Sequence, residues 1–230
     1  MIKALLMDFN GVIINDEPIQ MQAYKEVLGA EGVEVTDESY LASLGMDEAA
    51  FVRNAFAIRD KKCDEKRMRE LIAAKQTVWR TMIDKELPLF EGMAGFVEKM
   101  SHEFSLGIVS MAPIQEIDLV LDKAGLSKFF TIIVSAEDVL NCKPDPECYR
   151  LGFKRLDAAR TMLGHLPMTH GECVVIEDSP PGVQAAIAAD LPALGVTNTV
   201  DAPALRAAGA GAIAKDLRDW MPESIRLIFA

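Results

Sequence analysis

A chain of 230 residues, half of them apolar, has enough material for one domain or for one carrying a substantial insertion. Its 24 Lys and Arg against 35 Asp and Glu give a net charge of −11, and no long basic run is present. This argues against nucleic acid or anionic membrane as the main partner, and a small anion would have to find local positive groups. The opening Ile2-Lys3-Ala4-Leu5-Leu6-Met7 lacks the length and cleavage site of a signal peptide and is too short to span a bilayer, so a cytoplasmic protein is expected. Residues 2–8 then read as a first strand. From Glu17 the pattern becomes helical, with Tyr24, Val27 and Leu28 on one face. Further helices are predicted at 37–44, 47–58 and 64–84, the last carrying Met68, Leu71, Ile72, Val78, Trp79 and Met82 at spacings of three and four.

No strand pattern interrupts these helices. Residues 16–87 are thus expected to form a helical insertion, bounded by Asp16-Glu17-Pro18 and by Leu87-Pro88-Leu89-Phe90-Glu91-Gly92, with 1–15 and 88–230 as the core. The mixed charges from Asp60 to Arg67 suit a solvated helix start. Beyond Gly92 the prediction alternates: helix 93–102, strand 105–110, helix 114–124, strand 131–134, helix 146–157, strand 173–176, helix 181–189, strand 192–196 and a short strand near 212–214. Such alternation predicts an α/β core built on a parallel sheet. Cys63, Cys142, Cys148 and Cys173 form no CxxC pair and are not in ligand spacing with His102, His165 or His170, which points to free thiols and away from zinc.

Four fragments fall just past apolar runs: Met7-Asp8-Phe9-Asn10-Gly11-Val12, Val109-Ser110, Lys143-Pro144-Asp145-Pro146 and Val174-Val175-Ile176-Glu177-Asp178-Ser179. The carboxyl ends of parallel strands form the ligand crevice of an open sheet, so one crevice can collect all four. Singly they say little. Asp8 suits a turn cap, Glu177-Asp178 a helix N-terminus, and Ser110 and Lys143 ordinary loop positions. In this order, however, they resemble the haloacid dehalogenase superfamily, in its phosphatase and phosphomutase branch, from Ile2 to about Leu217.

That resemblance implies a Rossmann-like core with an inserted all-helical cap that closes over the site. It implies Asp8 as the nucleophile that takes up a phosphoryl group, splitting one displacement into two. It implies Mg²⁺ held by Asp8, Asp178 and the backbone carbonyl of Asn10, with Glu177 a direct ligand or one step behind. Ser110 and the Met111 N–H would donate to phosphoryl oxygens, and Lys143 would balance charge among Asp8, the phosphoryl group and Asp178. Gly45, within Leu44-Gly45-Met46, and Lys75 would be substrate contacts from the cap. A monomer acting on a small phosphorylated metabolite is the corresponding expectation.

One position departs from the pattern. Where the branch carries a second Asp as general acid and base, this chain has Asn10, and an amide neither gives nor takes a proton in that role. An Asp there contributes typically ~10²–10⁴-fold in rate, so with the sequence alone in view Asn10→Asp is expected to raise turnover by about 10²-fold or more. Asn10 can still donate a hydrogen bond to substrate. Gln20 stands where such phosphatases often show His, Glu48 lies close to where sugar-phosphate mutases place an arginine, and Ala112 and Ile114 replace residues that mutases use for a second phosphate. A mutase therefore fits poorly. The alternatives to an impaired phosphatase are a catalytically silent phosphoester-binding or regulatory protein and a hydrolase of carbon–halogen or carbon–phosphorus bonds.

Overall fold

The computed structural model describes residues 1–229. Six strands form one parallel sheet in the order β3-β2-β1-β4-β5-β6: β1 Ala4–Met7, β2 Ser105–Val109, β3 Phe130–Val134, β4 Cys173–Glu177, β5 Ala193–Val196 and β6 Ala212–Ala214. Short strands covered on both faces need no polar alternation, and β1 and β4 are buried along their whole length. Leu5 and Met7 pack on one face with Phe96, Val97 and Ile117, from α5 (Met93–Ser101) and α6 (Ile114–Ala124). Ala4 and Leu6 pack on the other with Tyr149 and Leu156 of α7 (Glu147–Met162) and Val183 of α8 (Pro180–Ala188). Parallel crossovers thus bring α5, α6, α7 and α8 back over the sheet.

Between β1 and α5 lie α1 (Glu17–Gly29), α2 (Asp37–Leu41), α3 (Glu48–Ile58) and α4 (Glu65–Lys85), with no strand among them. They own a separate core of Tyr24, Leu28, Tyr40, Phe51, Phe56, Met68 and Leu71, in which the Tyr24 and Phe51 rings stack with centroids 3.9 Å apart. The far end of α4 behaves differently. Trp79 and Ile83 join the core under the sheet and anchor the helices to it. The two crossing segments are themselves paired: Asn15 N–H donates to Pro88 O at 2.7 Å, and Ile14 bridges Leu89.

Four helices differ from the sequence expectation. Helix α7 runs on to Met162 rather than ending at 157, because nothing breaks it before Gly164 at φ 86°. Helix α2 stops at Leu41, three residues short, in turns that lead to Gly45 at φ 84°. Helices α9 (Ala202–Ala208) and α10 (Pro222–Ile228) were not anticipated, although α9 carries its own signals: Asp201 caps it through Ala204 N–H, proline lies in its first turn, and Gly209 ends it. The four cysteines are free thiols, and among the described residues no helix is long and apolar enough to cross a membrane.

Candidate active site

Register places the site. Met7 pairs with Ile108 on one side and Ile176 on the other, so Asp8, Ser110 and Asp178 all leave the sheet at the same edge. The turn after β1 then depends on Gly11, which sits at φ +71° and where an added Cβ would lie 1.9 Å from Asp178 Oδ2. Only a residue without Cβ lets the two loops approach this closely. An open cleft results, floored by Asp8, Asn10, Ser110, Met111, Lys143 and Asp178.

Lys143 arrives on the loop between β3 and α7. Its Nζ lies 3.0 Å from Asp8 Oδ1 and 2.6 Å from Glu177 Oε1. Burial works to lower its pKa, but the carboxylates of Asp8 and Glu177 outweigh it and hold the ammonium well above its ordinary value. Its partners are thus Asp8 and Glu177, where Asp178 had been expected beside Asp8. Burial pushes the Asp8 carboxyl up to about 7 against the pull of Lys143, with Glu177 adding to the rise. Burial, then Glu177 and Asp8, hold Asp178 well above the usual carboxylate range. Three buried carboxylates facing one ammonium leave the site short of positive charge.

The donor set fits a hard divalent cation. Asp8, Glu177 and Asp178 each offer an oxygen, all within 4.8 Å of one another, and Asp8 Oδ1 has no hydrogen-bond donor beyond its ion contact with Lys143. Oxygen-only ligands with a few carboxylates suit Mg²⁺. Glu177 is nevertheless fully engaged: Oε1 accepts from Lys143 and Tyr149 OH, and Oε2 from the backbone N–H of Asp178 and Ser179 and from the Ser179 hydroxyl. It works as a pillar behind Asp178. The hydroxyl of Thr199 donates to Asp178 Oδ2, and Asn198 Nδ2 donates to Gly11 O at 2.8 Å.

That pillar is boxed in by Gly182 on α8, where an added Cβ would lie 1.8 Å from Glu177 Oε1. Gly182→Ala is therefore expected to destabilise by about 3 kcal/mol, as overpacking does. Gly95 on the exposed side of α5 has nothing within 4 Å, and Gly95→Ala is expected to gain about 0.5–1 kcal/mol from helix propensity. Thermal melts of the two variants should move in opposite directions. A Gly182→Ala protein melting with its parent would show that Glu177 is not held as described.

Asn10 is not free. Its Nδ2 donates to both oxygens of Asp16 at 3.0 Å, and Asp16, wholly buried, also accepts from Gln20 Nε2 at 3.0 Å and Trp79 Nε1 at 2.8 Å. Burial pushes Asp16 upward, yet its donors from Asn10, Trp79 and Gln20 pull the other way and favour the ionised carboxylate. The donors of Asn10 are committed to Asp16, and its Oδ1 lies 3.5 Å from Ser110 Oγ. The expected N–H donation from Asn10 to substrate is thereby replaced by an acceptor facing Ser110.

The roof of the cleft comes from the inserted helices and α6. Gly45 presses close to Lys143 and Pro181, where an added Cβ would meet their side chains at 3.0–3.1 Å. Lys75 is buried, with Nζ 2.9 Å from Glu48 Oε1 and 3.1 Å from Glu116 Oε1, so its charge ties α4 to α3 and to the core. Gln20 donates to Glu116 at 3.1 Å. Glu17, half-buried on the cleft wall, accepts a hydrogen bond from Tyr40 OH. Sequence reasoning missed Asp16, Glu17, Glu116, Tyr149 and Thr199. Thr199 alone had a usable signal, because it too follows a predicted strand.

The sequence pattern of the haloacid dehalogenase-like hydrolases matches residues 5–196, and this chain belongs to that family. It is 30% identical over 93% of its length to a phosphorylated carbohydrates phosphatase of Thermotoga maritima, and spans 94% of that protein. It is 31% identical over 94% of its length to the chloroplastic protein SUPPRESSOR OF QUENCHING 1 of Arabidopsis thaliana, of which it spans only 20%. In three dimensions a β-phosphoglucomutase from Clostridium difficile superposes with a TM-score of 0.86 over 100% of this chain and 97% of that one, at 20% identity. The Rossmann-like core with an inserted helical cap is the fold this chain shares with that structure.

Proposed function

We propose that the chain is a Mg²⁺-dependent phosphoric-monoester hydrolase that works through an aspartyl phosphate on Asp8, with residues 16–87 as cap and 1–15 with 88–230 as core. The observation that carries this reading is the convergence of Asp8, Ser110, Lys143 and Asp178 on one cleft floor, with the Lys143 ammonium 3.0 Å from the Asp8 carboxylate. Asp8, Asp178 and the Asn10 carbonyl would hold the ion, which supplies positive charge to the phosphoryl oxygens. Lys143 and the Ser110 hydroxyl add to that charge balance, and Asp8 attacks phosphorus. The cap carboxylates and the engagement of Lys75 by Glu48 and Glu116 leave the roof no cation for a second phosphate. This supports a substrate with one phosphate on a small neutral body, and a relative named for phosphorylated carbohydrates agrees with that class.

The test is covalent labelling. Acetyl phosphate or an aryl phosphate with Mg²⁺ should phosphorylate Asp8 in the intact protein, as read by peptide mass mapping, and Asp8→Asn should abolish both label and phosphate release. An unlabelled Asp8 with no phosphate release returns the chain to the phosphoester-binding reading favoured by Asn10. Halide or phosphonate products would instead assign another bond type.

A further inference from the structure

The cleft contains a carboxyl group to which the reading above gives no part and that this site needs. We infer that Glu17 is the proton donor and acceptor of the reaction, the part Asn10 cannot play; the inference rests on the aspartyl-phosphate reading of Asp8. Elimination among the carboxyls is structural. Asp16 is wholly buried and filled by donors from Asn10, Gln20 and Trp79. Glu48 is tied to Lys75 and to Gln76 at 2.6 Å, and Glu116 to Lys75 and Gln20. Asp8 is the nucleophile, and Asp178 faces the ion site. Glu17 lines the same cleft as Asp8 and Ser110, is paired with no cation among the described residues, and is held by one phenol, that of Tyr40.

Its surroundings suit the task. Burial first, then Asp16 and Asp8, raise the Glu17 carboxyl to about 7, while Tyr40 and Lys75 restrain it. Asp178, at the end of β4, and Tyr24, on α1 itself, also feel its charge. A carboxyl that is part protonated near neutral pH can give a proton in one step and take one in the next. In the first step the Asp8 carboxylate oxygen bonds to phosphorus, the bond from phosphorus to the ester oxygen breaks, and that oxygen leaves as an alcohol with the Glu17 proton. In the second, water attacks the aspartyl phosphate and gives its proton to Glu17. The phosphorus bond to Asp8 breaks, and inorganic phosphate leaves.

Glu17→Gln is the informative variant, because its amide oxygen still accepts from Tyr40. With an aryl phosphate, whose leaving group needs little protonation, it should label Asp8 at nearly the parent rate, while breakdown of the phosphoenzyme slows by about 10²-fold or more. Parent breakdown should rise with pH through about 7, and the variant should lose that rise. Tyr40→Phe removes a bond that favours the anion and should move the profile to higher pH; this arm also decides the matter if Glu17→Gln does not fold. No label on Asp8 in the unaltered chain would sink the underlying phosphatase reading. A labelled Asp8 in Glu17→Gln with parental breakdown and pH profile, or a Tyr40→Phe profile that does not move, would overturn the role of Glu17 and leave that reading standing.

Discussion

Asn10→Asp is expected to destabilise the protein by roughly 3 kcal/mol at pH 8, a fall of about 6–12 °C in melting temperature for a chain of this size. The reason is Asp16. Both of its oxygens take hydrogen bonds from the Asn10 amide, and a carboxylate at position 10 would replace those donors with a like charge inside a buried pocket. Two such carboxyls can share one proton, so the penalty depends on pH. Asp16 already has a raised pKa in the fold, chiefly from burial. A carboxyl raised further by a neighbour keeps its share of stability below its unfolded value near 3.9 and loses it as pH rises toward the folded value. The deficit should therefore be small at pH 5 and large at pH 8. Combining Asn10→Asp with Asp16→Asn restores an amide–carboxylate pair with its polarity reversed, and should recover more than half of the loss. Melts of the four proteins at both pH values form a double-mutant cycle. Additive effects at pH 8 would show that the two residues are not coupled, and the simple gain from Asn10→Asp would again be the better expectation.

Lys143→Met is expected to cost more, about 3–5 kcal/mol at pH 8 in the absence of added metal. Methionine keeps the apolar stem but leaves Asp8 and Glu177, both buried, without their shared cation. The sign with pH follows from Asp8, whose folded value of about 7 lies above its unfolded one even with Lys143 present. Losing the cation raises it further, so stability is retained at low pH, where the proton takes the place of the ammonium, and is lost as pH rises through neutrality. Thermal or urea unfolding at pH 5 and 8 reads this directly. A variant that melts within a degree of its parent at pH 8 would mean that Lys143 does not neutralise the two carboxylates.

The sheet was legible because its strands are short apolar runs, buried throughout in β1 and β4, and the site's floor because Asp8, Ser110 and Asp178 each closely follow such a run. Asp8, Ser110 and Asp178 reach one edge by register alone. What the sequence hid lies in contacts between distant segments. Asp16 reads as the turn that opens an insertion, and nothing local shows that Trp79 donates to it from far along the chain. Lys75 looks like a free cap lysine until Glu48 and Glu116 are brought to it from other helices. Asn10 read as a missing acid, whereas the fold makes it half of a pair. The short helices α9 and α10 escaped for a different reason, since seven residues hold too few turns to establish a period.

The indole of Trp79 gives this arrangement an optical signature. The chain has two tryptophans, and this one is 1% exposed with its N–H on the carboxylate that holds Asn10. Trp220 lies far along the chain near α10 and is only partly buried. Replacing it with phenylalanine would leave a single intrinsic fluorophore seated against Asp16, a light source whose colour follows the hydration of the buried contact between Asn10 and Asp16.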